Sequence, residues 1–339
     1  MATKLRYCDD SGPGITRKKT RHDSWAYWDA KGNRITDRAE IDRLNAIALP
    51  PAYRDAWFAP HADCHLQATG YDDKGRKQYR YHTEFREARE AEKYERLIDF
   101  GNRLPLLRKQ VEADLRRHGL VRERAVAAVV RLLDLGHVRI GNESYAKANK
   151  SFGATTLRKR HAKVRGRTLR LKFTAKSGKE RVCRITDASL ARFVKKCQDL
   201  PEQHLFHYLD EDGECHPVTS SDVNAYIHAA MGEDFTAKHF RTWGASVLAF
   251  EALAGAEKKL SLKSMLEPVT SALGNTPAIA RKSYVHPRLI ELCKEGQQRF
   301  RDMLRLPRTT RYLSRIERAL IAFLKAEESA LAESLPEAA

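Results

Sequence analysis

Residues 84–94 divide the chain into two parts that have different hydrophobic patterns. Before this segment, short apolar stretches are separated by turn residues, which is typical of β-strands. After it, apolar residues recur at spacings of three and four, which is typical of amphipathic helices. The segment itself is highly charged and rich in helix-forming residues, and we interpret it as a linker helix between two domains. We therefore predict an α+β protein, with a β-rich N-terminal domain over residues 1–86 and a mainly helical domain over 87–339.

The pattern of the first part predicts individual elements. Residues 1–22 are polar and contain a basic run, which indicates an irregular basic arm. Aromatic residues flank the turn at 29–33, which indicates a hairpin over residues 25–35. Asp37 and Glu40 have the spacing of a helix start. The expected strands are at 56–58, 65–69 and 78–82.

The second part contains predicted helices, one hairpin and a helical tail. The helices are expected at 104–118, 123–135, 187–197, 221–231, 243–253 and 262–273. Alternating apolar residues on both sides of Gly178 predict a β-hairpin at 169–185. The tail at 312–331 is predicted to be an amphipathic helix, and the sequence does not say what it packs against.

The charge balance points to a polyanionic partner. The 339 residues include 62 Lys and Arg against 44 Asp and Glu, which gives a net charge of +18. Such an excess favours nucleic acid or an anionic membrane surface, although a protein can also be basic without such a partner. No apolar run is long enough to span a membrane, and no signal peptide is recognised. The six scattered cysteines predict reduced thiols in a cytoplasmic protein.

Several kinds of chemistry lack their sequence signatures. The chain has neither a P-loop nor a GxGxxG segment, so nucleotide hydrolysis and hydride transfer are not indicated. His61, Cys64 and His65 lie close together, but no second ligand pair has a zinc-like spacing. We therefore predict no metal site and no cofactor.

Basic residues in distinctive local settings are the remaining candidates for chemistry. Arg139 lies between apolar residues directly after a buried helix, where its fork could bind two phosphate oxygens or pair with a carboxylate. Lys176 lies at the rim of the predicted hairpin, and Arg241 begins another helix. Either residue could equally make ordinary surface contacts. Tyr284 ends the short basic segment ARKSY, and a lone tyrosine is more often a packing residue.

Taken together, these residues resemble the type IB DNA topoisomerases of the small bacterial and poxvirus-like branch. That family has Arg, Lys, Arg, His or Asn, and a nucleophilic Tyr in chain order. The matching positions are Arg139 in VRIGNESY, Lys176 in LKFTAKSGK, Arg241 in KHFRTWG, Asn275 in LGNTP and Tyr284 in ARKSY. The block from ALPPAYRDAWFAP to GRKQYRYH resembles the N-terminal domain of this branch, so the resemblance covers about residues 10–300.

The resemblance implies a fold, a reaction and a partner. The second domain would have the fold of tyrosine recombinases and type IB topoisomerases. The enzyme would relax supercoiled duplex DNA through a 3′-phosphotyrosyl bond to Tyr284, strand rotation and religation, without ATP or a required metal. Arg139, Arg241 and Asn275 would stabilise the transition state. Lys176 would donate a proton to the leaving 5′ oxygen. Asn275 replaces the His of poxviral members, so a neutral donor takes the place of an ionisable one.

The resemblance also implies which residues contact DNA. The positions carried over are Gln78, Tyr79, Tyr81, Tyr145 and Lys238. A further set of cations should contact phosphates: Arg158, Lys159, Arg160, Lys163, Arg165, Arg167 and Arg170. The protein is expected to act as a monomer that clamps around DNA and associates with the nucleoid.

Two other functions compete with this interpretation. A tyrosine recombinase or integrase shares the fold and much of the residue set, but it usually has His where this chain has Lys238, three residues before Arg241. Its N-terminal domain is also typically helical. A DNA-binding protein without enzymatic activity would never form a covalent adduct.

Overall fold

The computed structural model describes residues 5–21, 24–73 and 75–334. The chain forms two compact units, Met1–Lys93 and Tyr94–Ala339, which are described separately below. The boundary between them falls inside one long helix, α2 (Thr83–Leu115). The predicted linker at 84–94 and the helix predicted at 104–118 both belong to α2, which continues through Pro105.

The N-terminal unit is an antiparallel five-stranded sheet with strand order β2-β1-β3-β4-β5 and one helix. Its elements are β1 (Ile15–Lys19), β2 (Trp25–Trp28), α1 (Arg38–Ala46), β3 (Arg54–Phe58), β4 (Leu66–Tyr71) and β5 (Lys77–Tyr81). Asp37 caps α1 by accepting a hydrogen bond from the Ala39 N–H, as helix N-caps do. The core of the unit contains Tyr27, Leu44 and Phe58, all almost completely buried.

One prediction for this unit was wrong, and another is confirmed only in part. The expected irregular basic arm contains β1, which lies between β2 and β3 in the sheet. Only Ile15 of β1 is buried, so the strand has no apolar alternation to reveal it. The expected hairpin over 25–35 is present as a short antiparallel contact, in which Trp28 and Arg34 form a bridge and the Ile35 N–H donates a hydrogen bond of 2.9 Å to the Tyr27 carbonyl. Its second arm does not extend into a strand, and the longer pairing of β2 is with β1 on its other edge.

The prediction of six reduced thiols was also wrong. Cys8 and Cys64 form a disulfide, with their Cα atoms 5.6 Å apart. A parallel bridge between Arg6 and Cys64 brings the N-terminal segment to this position. The two cysteines are 56 residues apart, and no local spacing reveals such a pairing. The other four cysteines are free.

The second unit is mainly helical. After α2, its helices are α3 (Arg122–Gly136), α4 (Glu143–Asn149), α5 (Ala188–Gln198), α6 (Ser220–Met231), α7 (Ala237–Ala254), α8 (Leu262–Leu273), α9 (Pro277–Ser283), α10 (Pro287–Lys294), α11 (Gln297–Met303) and α12 (Arg315–Ser334). The centre of the unit is α3, which packs against α5, α6 and α7. Because α3 is buried over most of its length, its C-terminal end is held firmly in place.

A three-stranded antiparallel sheet covers one side of α3 in the order β6-β7-β8. Its strands are β6 (Ala162–Arg165), β7 (Thr168–Thr174) and β8 (Glu180–Thr186), and a separate pair consists of β9 (His207–Leu209) and β10 (Cys215–Pro217). The hairpin of β7 and β8 confirms the prediction, whereas β6 was missed. Leu169, Leu171 and Phe173 point into the core, and the alternate residues point outward.

The predicted tail helix is confirmed as α12, which packs against α7. Ala319, Leu320 and Leu324 are buried against the rest of the unit. The tail is therefore part of the core. Among the described residues, no helix combines the length and the apolar character needed to cross a membrane.

Candidate active site

Arg139 lies on a tightly held loop that follows α3. The Arg139 carbonyl accepts a hydrogen bond of 2.8 Å from the Ala154 N–H, and the Ile140 carbonyl accepts one of 2.8 Å from Thr155. The loop packs so closely against Gly153 that a Cβ there would lie 2.6 Å from the Arg139 carbonyl oxygen. The segment of residues 153–155 therefore fixes the backbone that carries Arg139 before any ligand binds.

Arg241 lies in the first turns of α7 and is only 3% exposed. Its guanidinium donates hydrogen bonds to the carbonyls of His137, at the end of α3, and of Leu273, at the end of α8. These carbonyls lie at helix C-termini, where the helix dipole is negative and favours a cation. The contacts fix the direction in which the arginine points.

Asn275 connects the two arginines. It follows Gly274, which ends α8 in the left-handed conformation at φ +65°. The Asn275 Oδ1 accepts a hydrogen bond of 2.8 Å from Arg139 Nη2 and one of 3.3 Å from Arg241 Nη2. Its Nδ2 is buried and has no hydrogen-bond partner among the described residues. Because both arginines occupy Oδ1, the NH2 group is left as a donor for a ligand oxygen.

Tyr284 ends α9 and lies beside the same two cations. The guanidinium carbon of Arg241 is 4.8 Å from the centre of the Tyr284 ring. Burial alone would raise the pKa of the Tyr284 hydroxyl, but Arg241 and Arg139 outweigh that effect and hold the pKa below its usual value. Burial lowers the pKa of Arg241 to about 10, and the positive charge of Arg139 adds to this effect. The site is thus a partly buried phenol against concentrated positive charge.

Arg181 on β8 is a supporting residue that the sequence analysis missed. It is buried and donates to the carbonyls of Gly136 (2.7 Å), Ala272 (2.6 Å) and Leu273 (2.9 Å). It therefore ties the end of α3 to the end of α8. A sequence signal existed: Arg181 falls on an inward-facing position of a strand whose other inward positions are apolar or small.

His137 is a second missed residue at this point. It ends α3 in the left-handed conformation (φ 49°), and its ring lies against Gly244 of α7, where a Cβ would be 2.4 Å from Nδ1. Burial and the surrounding arginines lower the pKa of His137 to about 4, although Asp134 acts in the opposite direction. The imidazole is therefore neutral near pH 7, and its backbone carbonyl holds Arg241.

Lys176 and Tyr145 lie on an open cleft of about 410 Å³ that Arg139 and Arg181 also line. Lys176 occupies a 3₁₀ turn between β7 and β8 and is exposed. Tyr145 belongs to α4, whose N-cap is Asn142. The structure brings Arg139, Arg241, Asn275 and Tyr284 into direct association, and it places Lys176 on the cleft beside Arg139.

The remaining predicted DNA contacts belong to α7 and β5. Lys238 is exposed in the first turn of α7. In the N-terminal unit, Tyr79 and Tyr81 of β5 are 48% and 45% exposed, and their rings stack with centroids 6.1 Å apart. Gln78 is half-buried and donates a hydrogen bond of 3.1 Å to Asp72, so part of its amide is already used.

The predicted phosphate-binding cations fall into two groups. Arg158 pairs with Glu143 at 2.6 Å, and Lys159 donates to the Gln198 carbonyl, so both are engaged within the protein. Arg160 and Arg167 are exposed. The outer face of the β6-β7-β8 sheet, called the sheet face below, contains Lys163, Arg165, Arg170, Lys172 and Arg184, all exposed.

Cations lie directly opposite one another on the sheet face. Lys163 pairs in register with Arg170, and Arg170 pairs with Arg184. Like charges in such positions repel each other, and an anion bound across them would relieve the repulsion. In residues 5–21, 24–73 and 75–334, no three histidine, cysteine or acidic side chains come together as a metal site would require.

Both units of the chain match known protein families. Residues 82–302 match the family model for the eukaryotic DNA topoisomerase I catalytic core, and residues 24–72 match the model for the N-terminal domain of bacterial DNA topoisomerase IB. The chain is 32% identical to DNA topoisomerase 1B of Acanthamoeba polyphaga mimivirus over 85% of its length and 89% of the relative's. It is 27% identical to DNA topoisomerase 1 of Mycosarcoma maydis over 48% of its length and 18% of the relative's. This chain belongs to the type IB DNA topoisomerases.

Proposed function

We propose that this enzyme relaxes supercoiled duplex DNA by cutting one strand with Tyr284, allowing the strand to rotate, and resealing it. The observation that carries this proposal is the convergence of Arg139, Arg241 and Asn275 around the Tyr284 ring. A phenol among fixed cations is suited to attack a negatively charged phosphodiester. The comparisons support DNA as the substrate; the roles of individual residues are part of the proposal.

In the cleavage step, the Tyr284 oxygen bonds to the phosphorus and its proton leaves. The bond between phosphorus and the 5′ oxygen breaks, and the electron pair stays on that oxygen, which takes a proton. The product is a 3′-phosphotyrosyl bond and a free 5′ hydroxyl. In religation the 5′ hydroxyl attacks the same phosphorus and Tyr284 leaves. One phosphodiester replaces another, so the exchange needs no ATP.

Arg139 and Arg241 would stabilise the negative charge that builds up on the nonbridging oxygens. Both are held in place before DNA binds, so little reorganisation is needed during the reaction. The Asn275 Nδ2, which has no partner among the described residues, would donate a third hydrogen bond. These groups provide the charge stabilisation that a metal ion supplies in other phosphoryl-transfer enzymes, which supports a reaction with no required metal.

Lys176 is proposed as the general acid that protonates the leaving 5′ oxygen. Its ammonium group lies on the rim of the cleft that contains Arg139. Because it is exposed on the hairpin turn, a bound duplex could reach it directly.

The two units are proposed as the two halves of a DNA clamp that acts as a monomer, with the N-terminal domain over residues 1–86 and the catalytic domain over 87–339. Tyr79, Tyr81 and Gln78 would contact DNA from the N-terminal domain. Tyr145 and Lys238 would do so from the catalytic domain. The sheet face would bind phosphates without reading sequence.

The first experiment compares the wild type with Tyr284→Phe on supercoiled plasmid in EDTA and without ATP. The wild type should relax the plasmid and give a covalent adduct that denaturing detergent traps. Tyr284→Phe should do neither but should still bind DNA. Tyr312→Phe is the matched control, because the Tyr312 hydroxyl bonds to Glu112 rather than to a site residue.

Each alternative has its own outcome. If the wild type binds DNA and never relaxes it, the proposal fails, and recombination between paired sites becomes the next assay. If no adduct forms in any assay, the chain is a DNA-binding protein without this chemistry. If Tyr284→Phe still relaxes DNA, another residue is the nucleophile.

A further inference from the structure

Arg108 of α2 uses all five of its N–H donors within the protein. Its Nε and Nη2 donate to the two carboxylate oxygens of Asp134, at 2.9 and 2.8 Å. Nη2 and Nη1 donate to the two oxygens of Glu317, at 2.8 and 3.0 Å. Nη1 also donates to the Tyr312 carbonyl at 2.6 Å. A guanidinium with no remaining donor is fixed in both position and plane.

Glu317 is the acceptor that joins three segments. Besides those from Arg108, it accepts a hydrogen bond of 3.1 Å from Trp243 Nε1 and one of 2.8 Å from the Ser314 N–H. The Ser314 hydroxyl accepts in return from the Glu317 N–H, which makes a capping box at the start of α12. The Asp134 and Glu317 side chains are only 6% and 9% exposed. Burial raises the pKa of Glu317, but Arg108 outweighs that effect and holds it below its usual value.

The buried group of Arg108, Asp134 and Glu317 is connected to the active site in two ways. Asp134 lies in the last turn of α3, three residues before His137, whose carbonyl holds Arg241. Trp243 lies two residues after Arg241 on α7. Glu317 therefore connects, through Arg108 and Asp134, to the end of α3, where the His137 carbonyl accepts from Arg241. Through Trp243 it also connects to α7, the helix that carries Arg241. None of these contacts reaches Tyr284, so Glu317 does not act on the reacting atoms.

We propose that Glu317, through Arg108 and Trp243, positions Arg241 and the Arg139 loop for cleavage, so that α12 is a working part of the active site. This inference rests on the proposed roles of Arg139 and Arg241. Glu317 lies beyond residue 302, where the match to the catalytic-core family ends. Small displacements of a fixed cation cost much rate, so the carboxylate governs turnover without touching DNA.

The test is Glu317→Gln, which keeps the shape of the side chain but replaces one oxygen that accepts from Arg108 with an NH2 group. The single-turnover cleavage rate at saturating DNA should fall about 10- to 100-fold, with the affinity for DNA unchanged. Glu328→Gln is the matched control, because Glu328 is an exposed residue on the same helix and loses the same charge. It should cleave at the wild-type rate.

A double-mutant cycle separates positioning from general destabilisation. In an Arg241→Lys background, Glu317→Gln should cost much less than in the wild type, because the group that it positions is already altered. A purely structural role would give the same loss in both backgrounds. If Glu317→Gln does not fold, Glu317→Asp keeps the charge with a shorter reach and should still show reduced cleavage with normal DNA affinity.

Three results would overturn the inference: wild-type cleavage by folded Glu317→Gln, equal losses in both backgrounds, or wild-type cleavage by Glu317→Asp where Gln does not fold. Failure of the proposed function would give a different result. The wild type, with Glu317 intact, would then form no Tyr284 adduct.

Discussion

The candidate active site and the sheet face both contain arginines, but they hold them in opposite ways. Arg241 and Arg181 in the candidate active site are 3% and 9% exposed, and helix-end carbonyls accept hydrogen bonds from their guanidiniums. Arg170 and Arg184 on the sheet face project into solvent opposite each other. Arg181 and Arg184 both belong to β8, where Arg181 is buried and Arg184 is exposed. They therefore lie on opposite faces of the three-stranded sheet.

The difference shows that one residue type can serve two tasks. A buried, fixed arginine has a defined direction, which stabilises charge at one point in space. A row of exposed arginines produces a diffuse positive field, which attracts a polyanion and depends on salt. Substitutions in the first region should therefore change rate or stability, and those in the second should change affinity.

The largest effect is expected for Arg241→Ala. Removing a preorganised donor from a transition state typically costs about 10²- to 10³-fold in rate. The single-turnover cleavage rate at saturating DNA should fall by that amount. Arg184→Ala is the control and should cleave at the normal rate. A loss of affinity without a loss of rate in Arg241→Ala would remove the distinction between the two regions.

A smaller effect, on stability, is expected for Arg181→Met. The change removes three hydrogen bonds from a cation to buried carbonyls, and we expect a loss of about 2–3 kcal/mol in the free energy of unfolding. Urea unfolding followed by circular dichroism would measure it, because the helical unit dominates that signal. Arg184→Met changes the same strand on its exposed face and should differ from the wild type by less than about 0.5 kcal/mol.

The smallest effect is expected for Arg170→Ala combined with Arg184→Ala. Each lost phosphate contact should make the slope of log affinity against log salt less steep by about 0.9, so the pair should change it by about 2. Cleavage at saturating DNA should stay normal. Replacing both residues with Lys keeps the charge and should restore the slope. An unchanged slope in the Ala pair would mean that the duplex does not reach the sheet face.

The sequence identified the residues that the structure brings together but not what holds them. Arg139, Arg241, Asn275 and Tyr284 stood in a recognisable order, and each had a local sequence context. Arg181 and His137 had no such context, because their role is to bond to backbone carbonyls of distant helices. The network of Arg108 and Glu317 joins residues about 200 positions apart, which no local pattern reveals.

The fold was predictable where one element has one buried face. The helix α5 and the hairpin of β7 and β8 were found because their apolar spacing is regular. The strand β1 was missed because pairing with β2 and β3 defines it, while only one of its side chains is buried. The disulfide was missed for a related reason: its two ends meet only after the sheet has formed.

That disulfide makes a ring of residues 8–64. The ring contains β1, β2, α1 and β3, so the disulfide closes more than half of the N-terminal unit into a covalent loop. Loop closure of this length removes unfolded-chain entropy equivalent to about 4 kcal/mol. A thiol reductant therefore destabilises this unit selectively. Two preparations with the disulfide formed and reduced differ in the free energy of unfolding of their N-terminal unit.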